Sequence, residues 1–269
     1  MNSKLVTGIL MILLSMVSVQ PPTWQQTCVD MPYAYFYEDN ARHIAINTIE
    51  VDRSVGFVVD VQISSSTGFH VGSVEKGITR LSVMADEAGA VLAVNADNYR
   101  SHATGVIIRN GQCLRQKSTG RHLLAVGSDG DFQMIADRKI EKPSELAERL
   151  LKGKVLHTFE FGPILVQNGE AVEIPAKFKL ISTSEKRREP RTAIGMISPL
   201  HYVIVVVDGR QPGYSEGISL QTLQQIFLDL GVTCAFNLDG GGSTELWFQG
   251  EIINKPCGGE RGMSDCIWF

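Results

Sequence analysis

The sequence has no long hydrophobic run beyond its N-terminal region, so nothing later in the chain predicts a membrane-spanning helix. Residues 1–20 resemble a secretory signal, with Lys4 near the start and an almost wholly apolar stretch from Leu5 to Val19. We therefore predict a signal peptide at 1–20 and a mature chain at 21–269 without a membrane span. The expected location is secreted, periplasmic or otherwise extracytoplasmic.

Positive charge is also scarce, because 25 Lys and Arg residues face 29 Asp and Glu residues and the net charge is −4. Nucleic-acid binders usually carry a basic face, so no nucleic-acid partner is expected. The chain lacks a Walker phosphate loop, a dinucleotide-binding glycine signature and the His-Glu-x-x-His zinc motif. The sequence therefore requires no cofactor.

Cysteine and histidine are too dispersed to predict a metal centre of the zinc type. The five cysteines have no zinc-finger spacing. Cys257 and Cys266 bracket a short glycine-rich loop and could form a disulfide in an oxidising compartment, which leaves the pairing open. Among the scattered histidines, His102 and His122 lie near polar loops and are the stronger candidates for a role in a site.

Many short apolar segments separated by turn signals predict more strand than helix. Helices are predicted at 79–88, at 145–152 with a cap at Ser144, and after a cap at Ser219. Residues 21–45 are expected to be irregular. No domain linker is evident in residues 30–269, so we predict a single α+β domain with an extensive mixed, largely antiparallel sheet flanked by a few helices.

The most informative segment is Asn237–Thr244, which reads Asn-Leu-Asp-Gly-Gly-Gly-Ser-Thr. Three glycines allow a sharp turn or the close approach of a ligand to the backbone. The flanking residues Cys234–Phe236 and Leu246–Phe248 are apolar, which argues against a flexible linker. A carboxylate, bare backbone N–H groups and two hydroxyls after a buried strand predict an anion or sugar site.

A second segment repeats this arrangement. Residues 87–97 align without a gap on residues 229–239, and each segment reads helix end, glycine, apolar strand, then Asn-x-Asp. Strand exits commonly carry ligand groups in such folds, so Asn95 and Asn237 are expected to lie near one shared cleft. The alternative is coincidence, since Asn and Asp are frequent turn residues.

Arginines near three strand ends strengthen the prediction of an anion site. Asp208-Gly209-Arg210 follows an apolar strand, Arg191 lies at a strand entrance, and Arg261 precedes the apolar C-terminal residues. The guanidinium group matches phosphate bidentately, which favours a phosphate ligand.

One literal motif match has the wrong context. Gly213–Gly217 fits the serine-hydrolase elbow, with Ser215 as the nucleophile. That elbow requires a strand, a tight turn and a helix in immediate succession. Here residues 208–212 separate the strand from the match, and Ser219 starts the helix.

Taken together, these segments resemble the phosphodiester glycosidase family over roughly Leu81 to Phe269. The resemblance rests on the order and spacing of Ala93-Val94-Asn95, Gly105 with Asn110-Gly111, Gly162 to Val166, Pro190-Arg191-Thr192-Ala193, Asp208-Gly209-Arg210, Asn237 to Thr244, and Arg261 with Ser264-Asp265. The chain departs from many relatives after Asn95, where it has Asp97-Asn98-Tyr99-Arg100 rather than a glycine and paired aromatics. A role for Asp97 is therefore not carried over.

The resemblance implies hydrolysis of a sugar-1-phosphodiester at the anomeric carbon, giving free sugar and a phosphomonoester, with a phosphorylated glycan or small sugar-1-phosphodiester as partner. Asp239, and second Asp208, are the implied catalytic carboxylates. The implied substrate- and phosphate-binding residues are Arg191, Thr192, Arg210, Arg261, Gly240, Gly241, Gly242, Ser243, Thr244, Asn95 and Asn237.

Two other functions stay open at this point, a serine hydrolase using Ser215 and a non-catalytic module that binds surface glycans. The sequence identifies no metal. The oxygen donors of Asp208, Asp239 and Asn237 would suit a hard cation such as calcium, although no ordered loop signature demands one.

Overall fold

The structure is a computed structural model that describes residues 33–117, 120–136, 141–174 and 187–269. In these ranges no helix is both long and apolar enough to cross a bilayer. The predicted signal peptide and Cys28 lie outside the described residues.

The largest layer is an eight-stranded sheet with every neighbouring pair antiparallel. With strands numbered in chain order, the order across this sheet is β1 (Tyr35–Glu38), β2 (Arg42–Val51), β3 (Ser54–Ile63), β15 (His201–Val207), β14 (Arg191–Ser198), β16 (Cys234–Asn237), β12 (Ile164–Gln167) and β13 (Glu170–Ala171). The expectation of an irregular segment at 21–45 is wrong for β1 and the start of β2. Strand β2 gains its order by pairing with the long β3, and β1 by pairing with β2, which local sequence does not reveal.

A five-stranded antiparallel sheet faces the first. Its order is β18 (Glu251–Ile252), β17 (Leu246–Phe248), β6 (Leu92–Asn95), β20 (Asp265–Trp268) and β4 (His70–Ser73). Side chains from both sheets, such as Val59 of β3 and Val94 of β6, share one fully buried hydrophobic cluster. The main core therefore lies between the two sheets, in the manner of a sandwich.

Smaller elements complete the domain. They are the hairpin of β7 (Gly105–Arg109) and β8 (Gln112–Lys117), the sheet of β10 (Phe132–Ile135), β9 (Leu123–Gly127) and β11 (Val155–Phe159), and the pair β5 (Thr79–Arg80) and β19 (Gly262–Met263). All of these pairs are antiparallel as well, so the α+β prediction with a largely antiparallel sheet is confirmed.

Three α-helices occur in the described residues, α1 (Leu81–Ala88), α2 (Pro143–Lys152) and α3 (Leu220–Asp229). The predicted cap of α3 is confirmed, since Ser219 Oγ accepts the Thr222 N–H at 3.0 Å. Gly89 ends α1 in the left-handed conformation at φ 64°, as expected. The predicted cap at Ser144 is wrong, because α2 already begins at Pro143, whose fixed φ suits the first helical position.

Helix α3 covers the outer face of the large sheet. Its Leu223, Ile226 and Phe227 pack with Val58, Val205 and other residues of that face in a second cluster. Alternation along β3 explains the arrangement, since Phe57 and Val59 point to the main core and Val58 points to α3. Strand β16 is packed on both faces, with Phe236 in the main core and Ala235 in the second cluster, and it leads directly into the glycine-rich turn.

Candidate active site

The two repeated strand exits, from β6 and β16, meet in the structure. The N–H of Asp239 donates to the Ala96 carbonyl at 3.0 Å, and Asn95 Nδ2 donates to the Asp239 carbonyl at 2.7 Å. The predicted proximity of these exits is confirmed, and it links the two sheets at one end of the domain. The glycine-rich turn starts from this junction.

The turn needs its glycines. Gly241–Ser243 forms one turn of 3-10 helix, and Gly241 has φ 62°, where a side chain is disfavoured. A Cβ atom at Gly240 would lie 2.7 Å from the Pro190 carbonyl oxygen, which accepts the Gly241 N–H at 2.9 Å. The turn is thus docked on the backbone that enters β14.

Two guanidinium groups lie against the turn, one on each of two consecutive glycines. A Cβ atom at Gly241 would be 2.9 Å from Arg210 Nη2, and one at Gly242 would be 3.0 Å from Arg261 Nη1. The Arg210 and Arg261 side chains are 46% and 50% exposed, so both charges face solvent. We call these two side chains the arginine pair; it is suited to an anion with several oxygens.

Neighbouring groups hold the arginine pair in place. Arg210 Nε donates to Glu189 Oε2 at 2.5 Å, and this glutamate is buried. Arg261 Nε donates to Ser243 Oγ at 3.0 Å, and its Nη2 contacts the same oxygen. Each guanidinium group is therefore oriented by one charged or hydroxyl partner and remains accessible.

Asp239 is the carboxylate beside the arginine pair. Its Oδ1 accepts the Gly240 N–H at 2.8 Å, and its Oδ2 lies 3.9 Å from Arg261 Nη2. The residue is 8% exposed. Burial raises the pKa of Asp239, while hydrogen bonds from Ser243 and Gly240 and the Arg261 charge oppose that rise. A buried carboxylate with a raised pKa is a typical feature of a catalytic site.

Several backbone N–H groups of the turn have partners inside the protein. Those of Gly240, Gly241, Ser243 and Thr244 donate to Asp239 Oδ1 and to the carbonyls of Pro190, Gly240 and Gly241. These bonds reduce the number of bare N–H groups that the sequence led us to expect for an anion. The arginine pair, rather than the backbone, is the main positive element of the site.

The amide of Asn95 turns toward the protein. Its Oδ1 accepts the Thr192 hydroxyl at 2.6 Å and the Glu245 N–H at 3.2 Å, while its Nδ2 binds the Asp239 carbonyl. Asn95 and Thr192 therefore fix the backbone of Asp239. Asn237 Nδ2 likewise donates to the Gly162 carbonyl at 2.8 Å.

Arg191 lies beneath the turn rather than at its surface. It is 4% exposed and donates from Nε to the Ile218 carbonyl at 3.2 Å and from Nη2 to the Arg187 carbonyl at 3.0 Å. Burial lowers the pKa of Arg191 to about 10. These contacts tie together the segments that support the turn.

Asp208 is more deeply buried than Asp239, at 1% exposure. Its Oδ1 accepts Asn254 Nδ2 at 2.8 Å, and its Oδ2 accepts the Tyr214 hydroxyl and the Lys255 N–H, each at 2.9 Å. Burial raises the pKa of Asp208 despite these bonds. With three donors on its carboxylate, Asp208 is placed as a positioning group for the neighbouring loops.

Ser215 does not have the geometry of a nucleophile. It is fully buried, its Oγ donates to the Asp208 carbonyl at 2.7 Å, and the same oxygen accepts the Val55 N–H at 3.1 Å. His122 Nδ1 accepts the Ile164 N–H at 3.1 Å, and burial lowers its pKa. Burial also lowers the pKa of His102, to about 4. Both imidazoles are therefore neutral at ordinary pH.

The described residues contain no group of three or more His, Cys, Asp or Glu side chains arranged to hold a metal ion. Asp208 already receives three hydrogen bonds from the protein, so calcium stays a hypothesis without a ligand set. Cys257 and Cys266 are both free thiols, which answers the open question about their pairing.

Sequence reasoning missed two buried acids near the turn. Glu189 orients Arg210, and Glu245 accepts the backbone N–H of Arg261 at 2.9 Å. Both lie next to motifs of the site, but a single acidic residue in a polar stretch gives no sign of burial. Asp97 is also fully buried and accepts the N–H groups of Glu160 and Phe161 at 2.6 and 3.0 Å, so it links the end of β6 to the segment that follows β11.

Comparisons with known proteins identify the family and the fold. A family model described as phosphodiester glycosidase matches residues 88–269. The SPbeta prophage-derived uncharacterized protein YomE of Bacillus subtilis (strain 168) is 30% identical over 192 residues, which is 68% of this chain and 28% of YomE. The chain thus spans less than a third of that relative's length.

Two solved structures share the fold. A hypothetical protein from Synechocystis has a TM-score of 0.68 at 16% identity, with 89% of this chain and 64% of that chain covered. The catalytic domain of zebrafish N-acetylglucosamine-1-phosphodiester alpha-N-acetylglucosaminidase, auto-inhibited by its pro-peptide, has a TM-score of 0.63 at 17% identity, with 88% and 86% covered.

Proposed function

Because the chain belongs to the phosphodiester glycosidase family, we propose that it hydrolyses a sugar-1-phosphodiester at the anomeric carbon. The products are the free sugar and a phosphomonoester. The observation that carries this proposal is the placement of Arg210 and Arg261 against consecutive glycines, with the Asp239 carboxylate beside them.

The arginine pair fits the leaving group of this reaction. When the bond between the anomeric carbon and oxygen breaks, that oxygen and its electron pair depart with the phosphate. Phosphate is a weak base, so a fixed positive charge can stabilise the departing group without a strong proton donor. Two guanidinium groups offer paired N–H donors to the phosphate oxygens.

Asp239 is proposed to act at the anomeric carbon. The transition state of glycoside hydrolysis carries positive charge on the sugar ring, and a carboxylate stabilises that charge or activates the attacking water. The raised pKa of Asp239 makes it a better proton acceptor than an exposed aspartate. Arg261, at 3.9 Å, favours the ionised form that either role requires.

The proposed substrate is a phosphorylated glycan or a small sugar-1-phosphodiester met outside the cytoplasm, because residues 1–20 resemble a secretory signal. Three buried residues would support the site without touching the substrate, by fixing the turn and the Asp239 backbone: Arg191, Asn95 and Thr192. Asp208 would hold the loop that carries Arg210.

The test is the release of sugar from benzyl phosphodiesters of the α- and β-1-phosphates of glucose, galactose, mannose and N-acetylglucosamine. We expect release from at least one of these compounds, and a loss of at least about 10³-fold in Asp239→Asn. Thermal melting controls for folding. Saturable glycan binding without sugar release at any pH would mean that the protein is a binding module and not an enzyme. Full activity in Asp239→Asn would mean that Asp239 has no part in the mechanism.

A further inference from the structure

Glu245 connects the exit of the glycine-rich turn to the segment that carries Arg261. It follows Thr244 directly and is fully buried. Its N–H donates to Asn95 Oδ1 at 3.2 Å, which fixes its backbone to the end of β6. Its Oε1 accepts the Arg261 N–H at 2.9 Å. One side chain therefore spans the two segments that meet at the arginine pair.

Arg261 is held to the turn at two points as a result. Glu245 binds its backbone N–H, and Ser243 Oγ binds its guanidinium group. The guanidinium group then lies against Gly242. Loss of the first contact would leave a half-exposed side chain attached through a single hydroxyl.

The second oxygen of Glu245 is unused. Among the described residues, Oε2 is buried and has no hydrogen-bond partner. An ionised carboxylate with a buried, unpaired oxygen is costly, whereas a neutral acid keeps its carbonyl oxygen for the Arg261 N–H. The geometry thus favours the neutral acid in the structure as it stands.

We propose that Glu245 is a positioning residue of the candidate site, and that the neutral form of its carboxyl group keeps the arginine pair ready for an anion. This inference rests on the proposed function. When the carboxyl group ionises, its negative charge stands behind Arg261 and offsets part of the positive field that the anion meets.

The groups that face Glu245 determine the pH at which its carboxyl group ionises. Burial is the largest influence and raises its pKa to about 7, and the charge of Glu260 acts in the same direction. The N–H and the charge of Arg261 act in the opposite direction. Glu260 is itself fixed, since its Oε1 accepts the Ser82 N–H of α1 at 2.8 Å. Anion binding is therefore expected to weaken as the pH rises through neutrality.

The direct test uses sulfate, which keeps its charge across the range, in titration calorimetry at pH 5.5 and pH 8.5. The variants are Glu245→Gln, which keeps an acceptor for the Arg261 N–H, and Glu251→Gln, which removes an exposed charge from β18. We expect the affinity to fall roughly tenfold more in the wild type than in Glu245→Gln, and Glu251→Gln to behave as wild type. An equal fall in all three proteins, or no sulfate binding, would overturn the proposal. Asp239 titrates in every variant and so cancels in the comparison.

Kinetics separate positioning from direct catalysis. In Glu245→Gln we expect kcat to stay close to wild type and KM to rise less with pH than it does in the wild type. In Glu245→Ala, which lacks the acceptor, we expect a higher KM at every pH. A kcat loss of about 10²-fold or more in Glu245→Gln would mean that Glu245 transfers a proton itself, which contradicts the proposal.

A second readout uses only the unmodified chain, in case the variants do not fold. Because binding and ionisation are linked, saturating sulfate should raise the pKa of Glu245 in a carbon-13 NMR titration of labelled glutamate. No shift would overturn the proposal. If sulfate raises the pKa of Glu245 but no sugar is released, only the proposed hydrolysis is refuted. If sugar is released but sulfate leaves the pKa of Glu245 unchanged, only the role of Glu245 is refuted.

Discussion

Substituting alanine for Gly241 distinguishes the effect of the arginine pair on activity from the effect of the turn on stability. At φ 62° the new side chain costs about 1–2 kcal/mol of folding free energy. Its Cβ would also lie 2.9 Å from Arg210 Nη2, which is the mobile end of a long side chain and can move away. The added steric cost is therefore small, but the guanidinium group leaves its place and strains its 2.5 Å bond to Glu189.

The expected result for Gly241→Ala is a melting temperature lower by about 2–8 °C, from roughly 2–4 °C per kcal/mol in a domain of this size. Loss of one charge-assisted hydrogen bond to the phosphate, worth about 1.5–3 kcal/mol, should lower kcat/KM by roughly 10- to 150-fold. The assay is sugar release measured alongside thermal melting.

Gly169→Ala is the matched control. Gly169 has φ 76°, and no described atom lies within 4 Å of a Cβ placed there. It follows β12 in a hairpin and carries no role in the site. We expect the same loss of stability with unchanged kcat/KM. If both variants lose activity alike, or if Gly241→Ala loses only stability, the arginine pair does not act as described.

Three further predictions concern buried groups. Ser215→Ala should keep full sugar release and lose about 1–3 kcal/mol of stability, because the Val55 N–H loses its partner; loss of release without unfolding would revive the serine-hydrolase alternative. Asp208→Asn should lose a similar free energy of unfolding and melt at a lower temperature, because the N–H groups of the new amide would face two donors, the Tyr214 hydroxyl and the Lys255 N–H. Loss of sugar release at an unchanged melting temperature would instead show that Asp208 takes part in catalysis. Burial lowers the pKa of His157 to about 3 from 6.5, so the folded state binds fewer protons and stability should fall by about 1.4 kcal/mol per pH unit below 6.5, levelling near pH 3. Denaturant titrations at several pH values measure the free energy of unfolding of the wild type and of His157→Gln. An equal dependence of this free energy on pH in the two proteins would contradict the prediction.

Local pattern was sufficient to predict the elements that position the site. The repeated helix–glycine–strand–Asn-x-Asp order placed β6 and β16, because helix ends and buried strands have strong local signals. The repeat also predicted that the ends of these two strands lie close together. Strands β1 and β2 escaped prediction, since β2 is ordered by pairing with β3 and β1 by pairing with β2, which is a tertiary effect.

The direction of each polar side chain could not be read from the sequence. Asp208 and Asp239 both follow apolar strands and precede glycine, yet the first receives three protein donors and the second lies beside the arginine pair. Arg191 and Arg210 differ in the same way, at 4% residue exposure and 46% side-chain exposure. These differences arise from segments distant in the chain, because residues 254–255 cover Asp208 and the Ile218 carbonyl binds Arg191.

The bond that breaks is the central claim, and oxygen-18 water identifies it. Attack of water at the anomeric carbon places the heavy oxygen in the released sugar and leaves the phosphomonoester unlabelled. Mass spectrometry of both products, from the best benzyl phosphodiester in a single turnover, measures the distribution. We predict label in the sugar and none in the phosphate. Label in the phosphate would show attack at phosphorus, and it would contradict the roles assigned to Asp239, Arg210 and Arg261.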